Sequence, residues 1–348
     1  MKIEDLIDEG RAFHGGRKSH HGDVIDFSAN INPYPPPEAL REAYESAYDS
    51  VDEYPDDSYS DLRESLSRLC GVSRDRVVPT NGAAEALRLV SSVVVDEGDT
   101  VAVPSPGFAE YAREARLHGA DVVEIETRVK RDSVASLDSV PDVVFVCNPN
   151  NPTGELLDRD EVLETAEYLS DRGSYLVVDE AFIDLSRGDS VAPELPDNAV
   201  AVHSLTKSFR IPGLRLGYVV AHGEILEALE AARPAWNVNT AAAEVGKEAV
   251  RHTDYVEESA EAIESERERI VERLGERIVT ESATNFVLVD VSPLSSEEAV
   301  EELLGHEHGV LVRDCSSFEG LEDTVRVAIR TPEENDVLLE ALEELHTA

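Results

Sequence analysis

The residues best suited to chemistry lie in the segment Ser204–Phe209, which contains Lys207 and is followed by Arg215. A lysine amine can condense with an aldehyde when burial and neighbouring cations lower its pKa. The hydroxyls of the segment and the guanidinium can hold a phosphate dianion beside that amine. Only five of the 348 residues are lysine, so the chain mostly uses arginine where charge alone is needed, and arginine cannot form an imine. We interpret Lys207 as a Schiff-base lysine next to a phosphate site; the alternative is a surface lysine in a loop.

A carboxylate and an amide follow two other apolar runs. Asp179 comes directly after Tyr175–Val178, and the carboxyl edge of a parallel sheet is where ligands bind in such folds. A pyridinium nitrogen needs a carboxylate partner, because the ion pair keeps the ring protonated. Asn151 lies in the turn Asn148–Gly154 after Val143–Cys147, where its amide can donate to a ligand oxygen. Each feature alone is also typical of an ordinary strand end or turn.

Two turns carry further signals. Gly82, followed by the small residues Ala83 and Ala84, exposes the free N–H groups at the start of a helix, which form a suitable phosphate cradle. An isolated Asn-Gly turn is the alternative. In the other turn two prolines surround paired asparagines, and X–Pro is the bond type in which the cis form occurs, in about 5–6% of cases. We predict that the Asn151–Pro152 bond is cis.

These motifs lie between elements that alternate along the middle of the chain. The alternation of strand and helix patterns indicates a largely parallel sheet covered by helices, an α/β fold. Strand-like runs are Arg76–Val78, Thr100–Val103, Asp121–Ile125, Val143–Cys147, Tyr175–Val178, Ala199–His203 and Gly217–Ala221. Helix-like segments are Ala83–Val95, Phe108–His118, Arg159–Arg172 and Ile225–Ala232.

We divide the chain into three parts. Residues 1–35 are rich in turn formers and are expected to be an arm that joins the small domain, and residues 36–232 form the large domain. Residues 233–348 have a different pattern, typical of a smaller α+β domain. Its predicted elements are a long helical stretch Ala241–Leu274, strands Phe286–Asp290, Val310–Val312 and Val325–Ile329, and a helix near Glu333–Leu345.

The net charge excludes some classes of protein. The chain has 73 acidic and 31 basic residues, a formal net charge of −42, and its basic residues are not clustered. Such a surface repels phosphate backbones, so we expect no nucleic-acid partner. No run of 18 apolar residues exists and the first residues are acidic, so neither a membrane span nor a secretory signal is expected.

The choice of charged residues indicates the salt concentration to which the protein is adapted, and the cysteines indicate its redox compartment. Few lysines and many carboxylates along the whole chain are typical of a protein adapted to molar salt, where the Debye length is about 3 Å. An ordinary acidic cytosolic enzyme is the alternative. The three cysteines Cys70, Cys147 and Cys315 are scattered, which fits a reducing, cytoplasmic compartment without disulfides or a zinc site. No metal is expected.

Taken in order, the motifs resemble the fold-type I pyridoxal-phosphate (PLP) enzymes, the aspartate aminotransferase superfamily, over nearly the whole chain. The resemblance implies PLP as cofactor, with Lys207 forming the Schiff base and Asp179 pairing with the ring nitrogen. It also implies that Tyr54 reaches the cofactor phosphate of a neighbouring subunit in a homodimer with shared sites. The other cofactor contacts implied are the backbone at Ala83 and Ala84, Phe108 stacked on the ring, Asn151 on the phenolic oxygen, and Ser204, Thr206 and Arg215 on the phosphate.

Two families of this superfamily match. Four segments are more similar to the threonine-phosphate decarboxylases of the cobalamin pathway than to the histidinol-phosphate aminotransferases. They are the arm with His14–Gly16 and Asp26–Pro33, Phe108 and Phe182 where the aminotransferases carry tyrosine, and Trp236–Asn239. We therefore expect decarboxylation of L-threonine O-3-phosphate to (R)-1-amino-2-propanol O-2-phosphate, with the aminotransferase as the alternative. A non-catalytic cofactor-binding protein is a third alternative, which an intact Lys207, Asp179 and Arg215 argue against.

The decarboxylase resemblance also implies the residues that hold a phosphorylated amino acid. They are His14, Gly15, Asn30, Asn151, Arg313 and Arg330. For Arg330 the alternation of the last predicted strand agrees, because Arg326, Ala328 and Arg330 share one face. An ordinary salt bridge is the alternative role for this arginine. The chain departs from the decarboxylases near Ala83, where they often carry an acidic residue.

Overall fold

Strands and helices alternate through most of the chain. The computed structural model describes residues 24–305 and 309–345. In chain order its strands are β1 Ile25–Asp26, β2 Val77–Thr80, β3 Thr100–Ser105, β4 Asp121–Glu126, β5 Val143–Cys147, β6 Tyr175–Asp179, β7 Ala199–Ser204, β8 Gly217–Val220, β9 Phe286–Asp290, β10 Val310–Leu311, β11 Arg313–Asp314 and β12 Thr324–Ala328. Its α-helices are Glu38–Ala47, Ser60–Cys70, Ala83–Val94, Glu110–Leu117, Arg131–Ala135, Arg159–Ser170, Leu205–Ser208, Gly223–Ala232, Thr240–Ala249, Thr253–Leu274, Ser296–Gly305 and Pro332–Glu344.

The central sheet has the order β2-β8-β7-β6-β5-β3-β4. Strands β3 to β7 run parallel, whereas β8 is antiparallel to both of its neighbours. Residues of β5 and β7 are buried on both faces, because helices cover the sheet on both sides and every side chain meets apolar neighbours. The predicted α/β class and mostly parallel sheet are confirmed, and strand bounds differ from the prediction by one or two residues.

One predicted helix is two helices. The stretch Ala241–Leu274 is interrupted between Thr240–Ala249 and Thr253–Leu274. The backbone N–H groups of Arg251 and His252 donate to carbonyls three residues earlier, which ends the first helix in a tighter turn. Thr253 and Asp254 then begin the second helix with residue types that are common at helix starts.

The last hundred residues contain two small sheets. Strands β11, β12 and β9 form an antiparallel sheet, and β10 pairs in parallel with β1 from the start of the described chain. The predicted strand Val310–Val312 is therefore divided between two sheets. The boundary at residue 233 stays a prediction. Helix Thr240–Ala249 packs on helices that precede it, since a Cβ at Gly246 would lie 2.3 Å from Leu216 Cδ2 and 3.0 Å from Leu62 Cδ1.

The segment after β1 crosses between the two groups of sheets. The backbone N–H of Asn32 donates to the carbonyl of Lys207 at 3.0 Å, and its side-chain amide donates to the carbonyl of Ser208 at 2.9 Å. On the other side, the N–H of Ala328 donates to the carbonyl of Phe27 at 2.8 Å. This part of the arm is thus held by the main chain of the helix that follows β7 and by that of the small sheet. Within residues 24–305 and 309–345, no helix combines the length and apolar character of a membrane span.

Candidate active site

The carboxyl ends of the parallel strands open into one cavity of about 290 Å³. Parallel pairing places Asp179 beside Cys147 of β5 and Val202 of β7, so functional residues after three strands meet at one edge. The cavity brings together most of the residues singled out in the sequence. Those that line it are Asn30, Ala83, Ala84, Phe108, Asn151, Asp179, Ser204, Thr206, Lys207, Arg215 and Arg313.

Lys207 reaches the cavity from the short helix Leu205–Ser208 that directly follows β7. Burial, with the positive charges of Arg326 and Arg215, lowers the pKa of its amine to about 8, against the opposing effect of Asp179. The amine lies 5.7 Å from the centroid of the Phe182 ring. A larger fraction of this amine than of an ordinary lysine is therefore neutral and nucleophilic near pH 8.

Asp179 at the end of β6 is buried and holds two hydrogen bonds. The hydroxyl of Tyr111 donates to Oδ2 at 2.7 Å, and the N–H of Ala181 donates to Oδ1 at 3.0 Å. Burial raises the pKa of the carboxyl group, whereas both donors act against that rise. A carboxylate accepts up to about four hydrogen bonds, so these two leave capacity for a protonated ring nitrogen.

Asn151 lies in a turn that is fixed by its neighbours. The bonds Asn148–Pro149 and Asn151–Pro152 are both cis, which confirms the predicted bond. The side chain of Asn148 holds the far end of the turn, accepting from the N–H of Leu157 at 2.8 Å and donating to its carbonyl at 3.2 Å. The guanidinium of Arg326 donates to Oδ1 of Asn151, so the amide NH₂ of Asn151 remains to donate to a ligand.

A cradle of backbone and hydroxyl groups forms the other end of the cavity. Gly82 has φ of +80°, and a Cβ there would lie 2.5 Å from Nη2 of Arg215. At Gly217 a Cβ would lie 2.8 Å from the backbone nitrogen of Ala83, so the start of helix Ala83–Val94 is held against β8. The hydroxyls of Ser204 and Thr206 are 2.7 Å apart. Together the guanidinium, two hydroxyls and a helix N-terminus are the donors that suit a phosphate.

The comparison with known proteins decides the family. The profile of aminotransferases of class I and II matches residues 22–342. The chain belongs to this family. It is 36% identical to a histidinol-phosphate aminotransferase 2 of Archaeoglobus fulgidus over 333 residues, 93% of each chain. It is 32% identical over 352 residues to a putative threonine-phosphate decarboxylase of Caldanaerobacter subterraneus subsp. tengcongensis, 94% of each chain.

A solved aminotransferase structure agrees with the fold and carries the cofactor. The histidinol-phosphate aminotransferase of Sinorhizobium meliloti, in complex with pyridoxal-5′-phosphate, superposes with a TM-score of 0.82 at 23% identity, covering 92% of this chain and 90% of that one. The present chain is thus a PLP-dependent enzyme of the class I and II aminotransferase family. Its cavity fits the cofactor: it has a phosphate cradle made close by Gly82 and Gly217, a buried carboxylate and a buried amine.

The small antiparallel sheet contributes two buried arginines to the cavity. Arg313 of β11 and Arg326 of β12 are directly paired across the two strands, and both line the cavity. Arg326 donates to the amide oxygen of Asn151 and, at 3.2 Å, to the carbonyl of Ser28. Burial and the neighbouring Arg313 lower the pKa of Arg326, to about 10. Like charges placed opposite each other destabilise a strand pair, so this arrangement favours an anionic ligand between them.

The sequence prediction for Arg330 does not match its surroundings. The strand ends at Ala328, and Arg330 lies outside the cavity lining, where it pairs with Glu334 at 2.7 Å and donates to the carbonyl of Asp26 at 3.0 Å. This is the salt-bridge alternative. Arg326, four residues earlier on the same predicted face, is the arginine that faces the cavity. The sequence could have indicated this role, because Arg326 lies in the middle of an apolar strand pattern. A charged residue at such a position is costly to bury and therefore points to a function.

Three other predicted residues are placed differently or lie outside the described residues. His14 and Gly15 lie outside the described part of the chain. The side chain of Tyr54 is not part of the cavity lining: it is 79% exposed and stacks on Trp236 with 4.4 Å between the ring centroids. Its predicted role in the site of a partner subunit stays a prediction. Within residues 24–305 and 309–345, no group of three His, Cys, Asp or Glu side chains could hold a metal ion.

Some lining residues were not predicted from the sequence. They are Ser28, Ala29, Tyr111, Cys147, Ala181, Phe318 and Arg326, together with Phe182, which the sequence singled out only for its resemblance to the decarboxylases. Tyr111 had a signal, since it lies three residues after Phe108 and therefore on the same side of a helical turn. Phe318 had none, because it lies in a loop and reaches the cavity only through the packing of the small sheet.

Proposed function

We propose that the enzyme decarboxylates a phosphorylated amino acid, L-threonine O-3-phosphate, to (R)-1-amino-2-propanol O-2-phosphate. The observation that carries this proposal is the facing pair of buried arginines, Arg313 and Arg326, which line the same cavity as Lys207. Phosphothreonine carries two anionic groups, a carboxylate and a phosphate, whereas histidinol phosphate carries one. Arginine binds both kinds of anion through its planar fork of donors. We further propose Asn30 as a ligand of the same substrate, together with His14 and Gly15 of the arm.

The residues of the sheet edge would hold the cofactor. Ser204, Thr206, Arg215 and the backbone at Ala83 and Ala84 would bind its phosphate, and Phe108 would stack on its ring. The carboxylate of Asp179 would hold the proton on the ring nitrogen, and the amide of Asn151 would donate to the ring oxygen. Bound PLP supplies an aldehyde for amine condensation and a protonated ring that withdraws electrons from the bonds at the substrate Cα.

The posture of the substrate selects the bond that breaks. A decarboxylase must hold the Cα–carboxylate bond perpendicular to the cofactor ring, whereas an aminotransferase must hold the Cα–H bond there. Arg313 and Arg326, which come from the small sheet and line the cavity, would bind the anionic groups of the substrate and so set its orientation. After loss of carbon dioxide, the amine of Lys207 would deliver a proton to Cα.

Phe182 supports the same choice. Its ring packs edge-on against Phe286 with centroids 5.3 Å apart and faces the amine of Lys207. At this position the aminotransferases carry a tyrosine, whose hydroxyl bonds the phenolic oxygen of the cofactor. A phenyl ring offers no such donor.

A histidinol-phosphate aminotransferase is the second candidate. The 36% identity to the Archaeoglobus fulgidus protein of that name favours it. Glutamate, which would serve as the amino donor, also carries two anionic groups, so the arginine pair is compatible with this activity as well.

Product analysis tests the choice. With phosphothreonine we expect stoichiometric release of carbon dioxide and aminopropanol phosphate, while the cofactor stays in its aldehyde form. Faster turnover of histidinol phosphate with 2-oxoglutarate than of phosphothreonine, without carbon dioxide, would overturn the proposal. Phe182→Tyr is the sharpest variant, because it restores the hydroxyl; we expect decarboxylation to slow and the cofactor to be converted partly to its amine form.

We also propose a homodimer in which Tyr54 completes the site of the partner subunit. Tyr54 and Trp236 stack on each other and are exposed on a strongly acidic protein, as are the nearby residues in sequence Tyr44, Tyr48 and Val51. Mixing the inactive variants Lys207→Ala and Tyr54→Ala tests the proposal. If the sites are shared, mixed dimers contain one intact site and regain activity; if Tyr54 acts within its own subunit, no activity returns.

A further inference from the structure

Tyr111 connects two of the surfaces that would hold the cofactor ring. It lies in helix Glu110–Leu117, and its side chain is only 1% exposed although it lines the cavity. Its hydroxyl donates to Oδ2 of Asp179 at 2.7 Å. The edge of its ring meets Phe108 at a centroid distance of 5.5 Å and an angle of 76°. One side chain therefore contacts both the carboxylate and the aromatic residue that would bind the cofactor ring.

The position of Tyr111 is itself fixed by the sheet. Its ring stacks on Phe145 of β5, with centroids 5.1 Å apart and 20° between the planes. Burial and the Asp179 carboxylate hold the pKa of Tyr111 well above its usual value, so the hydroxyl stays a donor throughout the pH range of the enzyme. The hydrogen bond therefore has one direction, from Tyr111 to Asp179.

That donor acts on the ionisation of Asp179. Burial alone favours the protonated carboxyl group, which has no negative charge to stabilise a protonated ring nitrogen. A neutral donor stabilises the carboxylate without neutralising it, in contrast to an arginine or lysine, which would compete with the ring for its charge. The N–H of Ala181 on Oδ1 assists, but it belongs to the main chain and cannot be varied.

We propose that Tyr111 is a positioning residue that keeps Asp179 ionised and aimed at the ring nitrogen of PLP. The inference rests on the proposed pairing of Asp179 with that nitrogen and is independent of which reaction follows. Tyr111 acts through Asp179, so its effect should depend on the presence of a nitrogen in the cofactor ring.

Affinity for two cofactors tests this without measuring activity. Full-length apoprotein is titrated with PLP and with the analogue in which ring nitrogen is replaced by C–H, and the ratio of the two dissociation constants is measured. Wild-type protein should bind PLP more tightly than the analogue. Tyr111→Phe, which keeps the aromatic ring, should lower that preference roughly 10-fold, as for a lost hydrogen bond to a charged group, and leave binding of the analogue unchanged.

Two further variants complete the test. Tyr218→Phe removes the hydroxyl of another buried tyrosine that does not line the cavity, and should keep the wild-type preference. Asp179→Asn should lose the preference, and adding Tyr111→Phe to it should change nothing more. Comparison of Asp179→Asn with the double variant still tests the proposal if Tyr111→Phe alone does not fold. In the double variant residue 179 is an amide, so no buried carboxylate is left without its hydrogen-bond donor.

The outcomes separate the two proposals. Equal weakening of PLP and the analogue by Tyr111→Phe would show that the hydroxyl only supports packing, and unchanged affinities would show that it has no role; either overturns the inference about Tyr111. If wild-type protein does not distinguish the two cofactors, the pairing of Asp179 with the ring nitrogen is wrong, and the inference falls with it.

Discussion

The two walls of the cavity are built in different ways. The sheet wall consists of Asn151, Asp179, Ser204 and Lys207, which follow the ends of three adjacent parallel strands. The outer wall consists of the segment Ser28–Asn30, Arg313, Phe318 and Arg326, which come from an arm, two short strands and a loop. Strands that are buried on both faces fix the sheet wall, whereas the outer wall depends on contacts between distant parts of the chain.

The two walls differ in the same way in their proposed roles: one holds the groups that take part in the reaction, and the other holds the groups that would select which reaction occurs. The sheet wall supplies the amine, the carboxylate and the amide that every reaction of such a cofactor needs. In the function proposed above, the outer wall supplies the charges that orient the substrate, so a change of a few residues there would alter which bond lies perpendicular to the ring. A protein can therefore keep the first wall and change its reaction through the second.

The largest effect is expected in the sheet wall. Lys207→Ala removes the amine, and turnover should be abolished with either phosphothreonine or histidinol phosphate, because no other group can take its place. Steady-state assays and the loss of the visible absorbance band of the bound cofactor measure this. Retained turnover would mean that the chemistry is located elsewhere.

A smaller and substrate-dependent effect is expected in the outer wall. Arg326→Gln should reduce kcat/KM by roughly 10–150-fold, equivalent to about 1.5–3 kcal/mol for a hydrogen bond to a charged group, with the absorbance band retained. Arg326→Lys is the matched control, which keeps the charge but loses the planar fork. If the neutral variant lost cofactor instead of substrate affinity, the division between the two walls would be wrong.

Charges on both walls are also expected to influence the pKa of Lys207. The rate of PLP uptake by the apoprotein should rise with pH through about 8, because the neutral amine is the reactive form and the Lys207 pKa is lowered to that value. Arg326→Gln should move the midpoint to higher pH, since a positive neighbour that favours deprotonation is lost. Asp179→Asn should move it to lower pH, since a negative neighbour is lost. Stopped-flow measurements over a pH series would reveal the shifts, and equal midpoints in all three proteins would contradict this account.

Arg330, just beyond the outer wall, should behave differently from Arg326. Its partners are Glu334 and a main-chain carbonyl, so Arg330→Gln should lower the free energy of unfolding by about 1 kcal/mol and leave KM unchanged within experimental error. Denaturant unfolding and substrate titration of the same preparation test both halves. A large rise in KM for phosphothreonine would return Arg330 to the list of substrate ligands.

Salt should act on the surface and not on the cavity. With a net charge of −42, the protein should melt several degrees lower at low ionic strength than in molar salt, because repulsion between carboxylates is no longer screened. The midpoint for PLP uptake should move much less, since buried charges are screened less. Calorimetry and the pH series at two salt concentrations compare the two. An unchanged melting temperature would show that the acidic surface has another purpose.

The sequence predicted the residues of the sheet wall better than those of the outer wall, because the former belong to short local patterns. An apolar run followed by Asp179, or by the hydroxyl-rich segment around Lys207, can be recognised in a segment of about ten residues. Arg326 was passed over for Arg330 because the alternation did not reveal where the strand ends or what lies across from it. The pairing of Arg313 with Arg326 and of β1 with β10 joins distant residues, and no local pattern encodes it.

The same limit applies to helices and single side chains. The break at residues 250–252 lies between two stretches of helix-favouring residues, and the local signal for it, Thr253 and Asp254 at a helix start, is also compatible with one continuous helix. Tyr111 could be placed on a helix near Phe108, but its hydrogen bond to Asp179 requires the distance between a helix and a strand end, which spacing alone does not give.

The pairing of β1 with β10 has a consequence for the order in which the enzyme is made. The main chain of Asp26, Phe27 and Ser28 is synthesised long before its hydrogen-bond partners Leu311 and Arg326. At 5–20 residues per second, this segment waits for about 15–60 seconds before its own side of the cavity exists. During that interval the central sheet can fold with Lys207 in place, while Arg313 and Arg326 do not yet line the cavity. A nascent chain would then carry the reactive amine without these two arginines.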